Sequence, residues 1–80
     1  MKFIVNITLK KGVLDPQGLA IKNSLATSGF FNINEVKQGK LIEIDLNEDD
    51  YNKAQKEVIE MCDKLLANTV IEDYKIMLNQ

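Results

Sequence analysis

The amino-acid sequence predicts an α+β domain with the chain order βαββαβ, folded as a four-stranded antiparallel sheet with two helices on one face. Three observations predict it. Apolar residues recur at every second position from Lys2 to Lys10, they recur at helical spacing from Tyr51 to Leu65, and they alternate again toward the C-terminal end. The 80 residues hold one domain, residues 1–80, with no linker, internal repeat or low-complexity stretch.

In the first strand Phe3, Val5, Ile7 and Leu9 share one face, the period of a strand with one side buried. The chain then reads Lys10-Lys11-Gly12-Val13-Leu14-Asp15-Pro16, in which Asp15 suits a helix N-cap and Pro16 the first helical position, where no N–H is wasted. Leu14 is placed to staple onto Leu19. The first helix is expected to run to about Ser28, with Gly18, Ile21 and Leu25 toward the core and Gly29 as a left-handed stop.

A second strand is expected within Asn32 to Lys37, although Phe30, Phe31, Ile33 and Val36 do not alternate cleanly, and the two phenylalanines read as core anchors. The third strand, Leu41 to Leu46, turns Ile42, Ile44 and Leu46 inward and Glu43 and Asp45 outward. Gly39-Lys40 between them suits a tight hairpin with Gly39 at positive φ. In the second helix Tyr51, Ala54, Val58, Met61 and Leu65 fall at spacings of 3, 4, 3 and 4. Its start, Glu48-Asp49-Asp50, and Lys64 near its end complement the helix dipole. Asn68 is expected as a left-handed cap, and Val70 to Leu78 forms the last strand with Tyr74, Ile76 and Leu78 alternating. Right-handed crossovers in this order give the ferredoxin-like split arrangement, with the sheet's second face uncovered.

The composition excludes several chemistries. All ten basic residues are lysines, against twelve acidic ones, and the chain contains no histidine and no arginine. No imidazole is available to activate a nucleophile or hold a metal, and no guanidinium to grip a phosphate. A net charge of −2 and a pI of about 5.0 lack the footprint of a nucleic-acid binder. RNA-recognition modules share this strand order, but the open face here offers Asn6, Thr8, Glu43 and Asp45 instead of aromatics. Acylphosphatase chemistry on the same topology needs an arginine that is missing.

Local clusters read as structure. Asp15 already occupies the helix N-terminus that an anion would need, and no Walker or dinucleotide glycine spacing surrounds Gly12 and Gly18. The acidic run at Glu48 lacks a calcium-loop pattern. Glu72 and Asp73, adjacent in a strand, point to opposite faces and do not share a substrate. Cys62 flanks the core of the second helix as a small apolar residue, and a lone cysteine suits a reducing compartment. Asn6 and Thr8 interrupt any apolar run near the N-terminus, so a cytoplasmic protein is expected. With 45% apolar residues and no disulfide, a chain this short gains from burying more surface in a partner.

Four stretches read together resemble the PurS family, the small subunit of phosphoribosylformylglycinamidine synthase. They are Leu9 to Gly18 (LKKGVLDPQG), Gly39-Lys40 before an Ile-Glu-Ile strand, Met61 to Asn68 (MCDKLLAN) and Val70 to Tyr74 (VIEDY). Thr69 and Gln38 depart from the usual family residues at positions with no catalytic role. The resemblance implies a subunit without catalytic, cofactor or metal residues of its own in an enzyme of purine synthesis. That enzyme converts formylglycinamide ribonucleotide, glutamine and ATP to formylglycinamidine ribonucleotide, and the ATP, Mg and glutamine are used by the partner subunits. The implied partners are a PurL-type synthetase, a PurQ-type glutaminase and a second copy of the chain, as a homodimer or a tetramer. PurS would then bridge the two larger subunits and help ammonia pass between them. Carried onto this sequence, the interface candidates are Lys10, Lys11, Gln17, Glu72 and Asp73, polar residues with little folding reason for their identity. The competing expectation is a dimeric ferredoxin-like regulatory module that binds a small ligand.

Overall fold

In a computed structural model, which describes residues 1–79, the chain runs β1 (Lys2–Leu9), α1 (Pro16–Thr27), β2 (Lys40–Asp45), α2 (Tyr51–Met61), a π-helical turn (Cys62–Leu66) and β3 (Glu72–Leu78). The three strands form one antiparallel sheet in the order β2-β1-β3, with Phe3 opposite Ile44 on one side and Leu78 on the other. Phe3, Val5 and Ile7 turn inward and are fully buried under Ala54, Val58 and Cys62 of the second helical segment. Phe3 also stacks on Tyr51, ring centroids 6.3 Å apart. Ile42, Ile44, Tyr74 and Ile76 close the sides of this core. Among the described residues no helix is long and apolar enough to cross a membrane.

Several expectations hold in detail. Asp15 caps α1, accepting from the Gly18 N–H at 2.9 Å, and Pro16 follows it. Gly29, at φ +102°, ends the helix and lets the Phe30 N–H reach the Leu25 carbonyl at 2.9 Å. At α2 the acidic run expected only to complement the dipole also supplies a cap, with Asp50 accepting from the Asn52 and Lys53 N–H groups.

The differences concentrate in one region. Among the described residues the sheet has three strands where four were expected, because residues 32–37 form no strand. α1 has no packed interface with the sheet or with α2, and Gly18 is its sole buried residue. Leu14 and Leu19 are 76% and 51% exposed, so no buried staple forms, and Phe30 and Phe31 point to solvent instead of anchoring a core. The reason is geometric. α1 and the return segment 30–39 leave the end of the sheet as an arm, tied at its base by Asp15, whose second carboxylate oxygen accepts from the Gln38 N–H at 2.9 Å. Gly18 is required there because a Cβ would fall on the Val36 carbonyl oxygen. Gly39 is likewise needed for close approach, to the Ile7 carbonyl, and not for a positive-φ hairpin.

The second helix also departs from its expected phase. The π-helical turn, closed by the Ala67 N–H on the Cys62 carbonyl at 3.0 Å, widens the last turn by one residue. Cys62, one turn beyond Val58 and in phase with it and Ala54, enters the core outright, whereas past the widened turn Leu65 lies at 83% exposure. Tyr74 donates to Asp63 at 2.9 Å and holds this turn to β3. Asn68 is not left-handed. Its side chain accepts from the Val70 N–H and its carbonyl from the Ile71 and Glu72 N–H groups, an Asx-type turn into β3.

Candidate partner interface at the end of the sheet

β1 and β3 continue their ladder to the sheet's end, where the Lys10 N–H donates to the Ile71 carbonyl at 2.8 Å. That register sets Glu72 opposite Leu9 and Asp73 opposite Thr8, so the two carboxylates lie on opposite faces. Asp73 pairs with Lys10 across the uncovered face at 3.6 Å. On the helix-bearing face Glu72 meets Lys40 at 3.7 Å and accepts from the Asn68 N–H at 2.7 Å. Only 13% of the Glu72 side chain remains exposed, so it ties β2 and the Asn68 turn to β3 as well as presenting charge.

Gln17, in the first turn of α1, faces Glu72 across a notch of about 610 Å³ that Leu14, Gln38, Gly39 and Lys40 also line. Lys11 stands apart, exposed on the turn that leads to the arm. The structure thus gathers Lys10, Glu72 and Asp73 at one end of the sheet, sets Gln17 opposite them and leaves Lys11 on the adjoining turn. Sequence reading missed Lys40, and it read Asp15 as a helix cap without the second bond from the Gln38 N–H. Register pairing of Lys40 with Ile7, and through it proximity to Glu72, is a long-range property that no local motif signals. The hydrogen bonds donated by the Gln38 and Gly18 N–H groups hold the Asp15 carboxyl below the usual carboxylate range, with Lys37 adding to the effect. Among the described residues no group of three or more His, Cys, Asp or Glu side chains could hold a metal ion.

A small α+β domain with an ion-paired sheet end and a projecting arm is built to present surfaces, which is the class of an assembly subunit. Comparison with known proteins gives the family. The family model for PurS, phosphoribosylformylglycinamidine (FGAM) synthase, matches residues 2–80. The phosphoribosylformylglycinamidine synthase subunit PurS of Methanocaldococcus jannaschii is 49% identical over 75 residues, 94% of this chain and 90% of that one. The structure of Bacillus subtilis PurS superposes with a TM-score of 0.86 at 40% identity, covering 99% of this chain and 98% of that chain. A chain in the structure of PurLQS from Thermotoga maritima superposes with a TM-score of 0.86 at 28% identity, covering 95% and 93%. This chain belongs to the PurS family, whose relatives named here are subunits of phosphoribosylformylglycinamidine synthase.

Proposed function

We propose that this chain is the bridging subunit of a cytoplasmic phosphoribosylformylglycinamidine synthase, acting as a homodimer between a PurL-type synthetase and a PurQ-type glutaminase and aiding ammonia transfer. The observation that carries the reading is the superposition, over nearly the whole chain, on a chain of the PurLQS structure. The ATP, Mg and glutamine of the reaction are handled by the partner subunits, while this chain positions them. A composition without histidine or arginine supports that division of labour. Lys10, Lys11, Gln17, Glu72 and Asp73 form the contact surface, a polar rim that offers both signs of charge. The sheet takes its four-stranded ferredoxin-like form in the assembly, once residues 32–37 find a strand partner. The end-to-end PurS match favours this reading over a stand-alone ligand-binding module.

The test is glutamine-dependent amidine formation by the PurL-type and PurQ-type proteins of the same source, with and without this chain, together with co-elution on a sizing column. Activity and a joint peak that both require the chain are expected. Full activity without it, and no co-elution during turnover, would overturn the reading.

A further inference from the structure

The strands keep the order β2-β1-β3 of a split βαββαβ sheet that lacks one edge strand. Residues 31–37 of the same chain fit that edge in one register. In a hairpin turning at Gln38-Gly39, Lys37 would face Lys40, and Ile33 and Phe31 would face Ile44 and Leu46, which pack against the core. Val36 would pair with Leu41 on the uncovered face, with Asn34 beside Glu43. A right-handed crossover would then set α1 over its own α2 side of the sheet. One chain thus contains every part of a closed four-stranded body.

The structure keeps those parts separated at one joint. Between Val36 and Lys40 the backbone makes no turn, and Gly39 is not at positive φ. The two-residue turn that matches the twist of a hairpin needs positive φ at both central positions, which Asn-Gly and Asp-Gly accept. Gly39 suits the second position, but Gln38 does not suit the first. Gly39 is also pressed onto the Ile7 carbonyl on its present course, where a Cβ would collide. The chain consequently extends 49 Å and has a radius of gyration of 16.0 Å, against about 12 Å for one compact body of 80 residues. Asp15 is not what holds it open. Lys40 pairs with Ile7 at the end of β1 from which α1 departs, so the start of α1 and the joint lie together whether the chain is open or closed. A segment tethered by two residues stands at about millimolar effective concentration beside its own edge, so the joint decides between the two forms.

We propose that Gln38-Gly39 is a conformational selector: it holds the chain open, and a joint able to turn lets the chain complete its own sheet with residues 32–37. The closed form withdraws the arm onto the body and redraws the surface that carries Gln17. The inference is independent of the bridging role proposed above, because it concerns a choice made within one molecule.

The experiment uses the isolated full chain and reads closure inside it. Asn34→Cys and Glu43→Cys put thiols at two exposed positions that face each other within one chain only in the closed register, while Cys62 is buried. With the natural joint, oxidised glutathione is expected to form no disulfide within the chain. With Gln38→Asn, or with two glycines inserted after Gln38, the same pair should close, seen as a disulfide in a species of single-chain mass after denaturation. Amide protection at Val5 verifies that each variant keeps its core. An intrachain disulfide with the natural joint would overturn the proposal, and so would its absence from both altered joints; closure by either altered joint alone supports it.

Discussion

Asp15 uses its two carboxylate oxygens for two different jobs, one on the Gly18 N–H inside α1 and one on the Gln38 N–H across the arm. Asp15→Asn keeps one acceptor oxygen, so the variant should retain the helix cap and lose the tie, read as faster amide exchange at Gln38 with Gly18 still protected. The sign of the pH effect follows from the lowered pKa. A carboxyl depressed in the folded state contributes stability that is present above its unfolded pKa, near 3.9, and is lost as pH falls through the folded value. Protection of both amides, taken relative to the intrinsic exchange rate at each pH, should therefore fall below about pH 4 and be flat between pH 5 and 8. Gly18→Ala brings a methyl group onto the Val36 carbonyl, and the strain of about 1–3 kcal/mol outweighs the gain of about 1 kcal/mol in helix propensity. Thermal denaturation should place it below the wild type, the reverse of an ordinary Gly→Ala change in a helix. Burial, with Asp63 alongside, pushes the Cys62 thiol up. The folded protein should leave a thiol reagent unconsumed at pH 8 and react with one equivalent once denatured.

The helical turn at Cys62–Leu66 shows how one added residue redirects an element. A 3–4 apolar spacing through Met61 and Leu65 is legible as a helix, and the helix is there. What spacing cannot reveal is a π-turn, because it depends on Tyr74 reaching Asp63 from a strand that follows later in the chain. Tyr74→Phe removes that donor and should cost about 0.5 kcal/mol, the low end for an exposed hydrogen bond. Removing the donor should also loosen the turn, read as faster exchange of the Ala67 N–H without change at Val5. The Asp63 carboxylate also holds the Tyr74 hydroxyl above its ordinary pKa. The same limit separates the parts of the fold that sequence conveys from those it does not. β1, the cap at Asp15 and the stop at Gly29 rest on residues within a few positions of one another, and all are as the sequence indicates. Residues 32–37 have strand-like composition, but a strand needs a neighbour, and among the described residues none pairs with this segment. At the sheet end, Lys10 and Asp73 are legible as polar loop residues, whereas the Lys40–Glu72 pair emerges only from the register of three strands.

At the scale of the whole molecule the apolar residues are divided between a small closed core and an open periphery. Phe3, Val5, Ile7, Ala54, Val58, Cys62 and Ala67 are buried, while Leu19, Phe30, Phe31, Leu65 and Val70 are largely in water. A core of seven residues is thin for an independent domain. The remaining stability must come from association, which makes it depend on concentration. For a folded dimer that unfolds to two separate chains, a hundredfold dilution removes about 2.7 kcal/mol, the free energy of two decades in concentration. Divided by the unfolding entropy of two chains, this lowers the midpoint by roughly 8 °C. Scans of the isolated chain across that range should show the shift. A wild-type midpoint that does not move on dilution would mean that the three-stranded body is stable alone, and that assembly on the larger subunits adds function without adding stability.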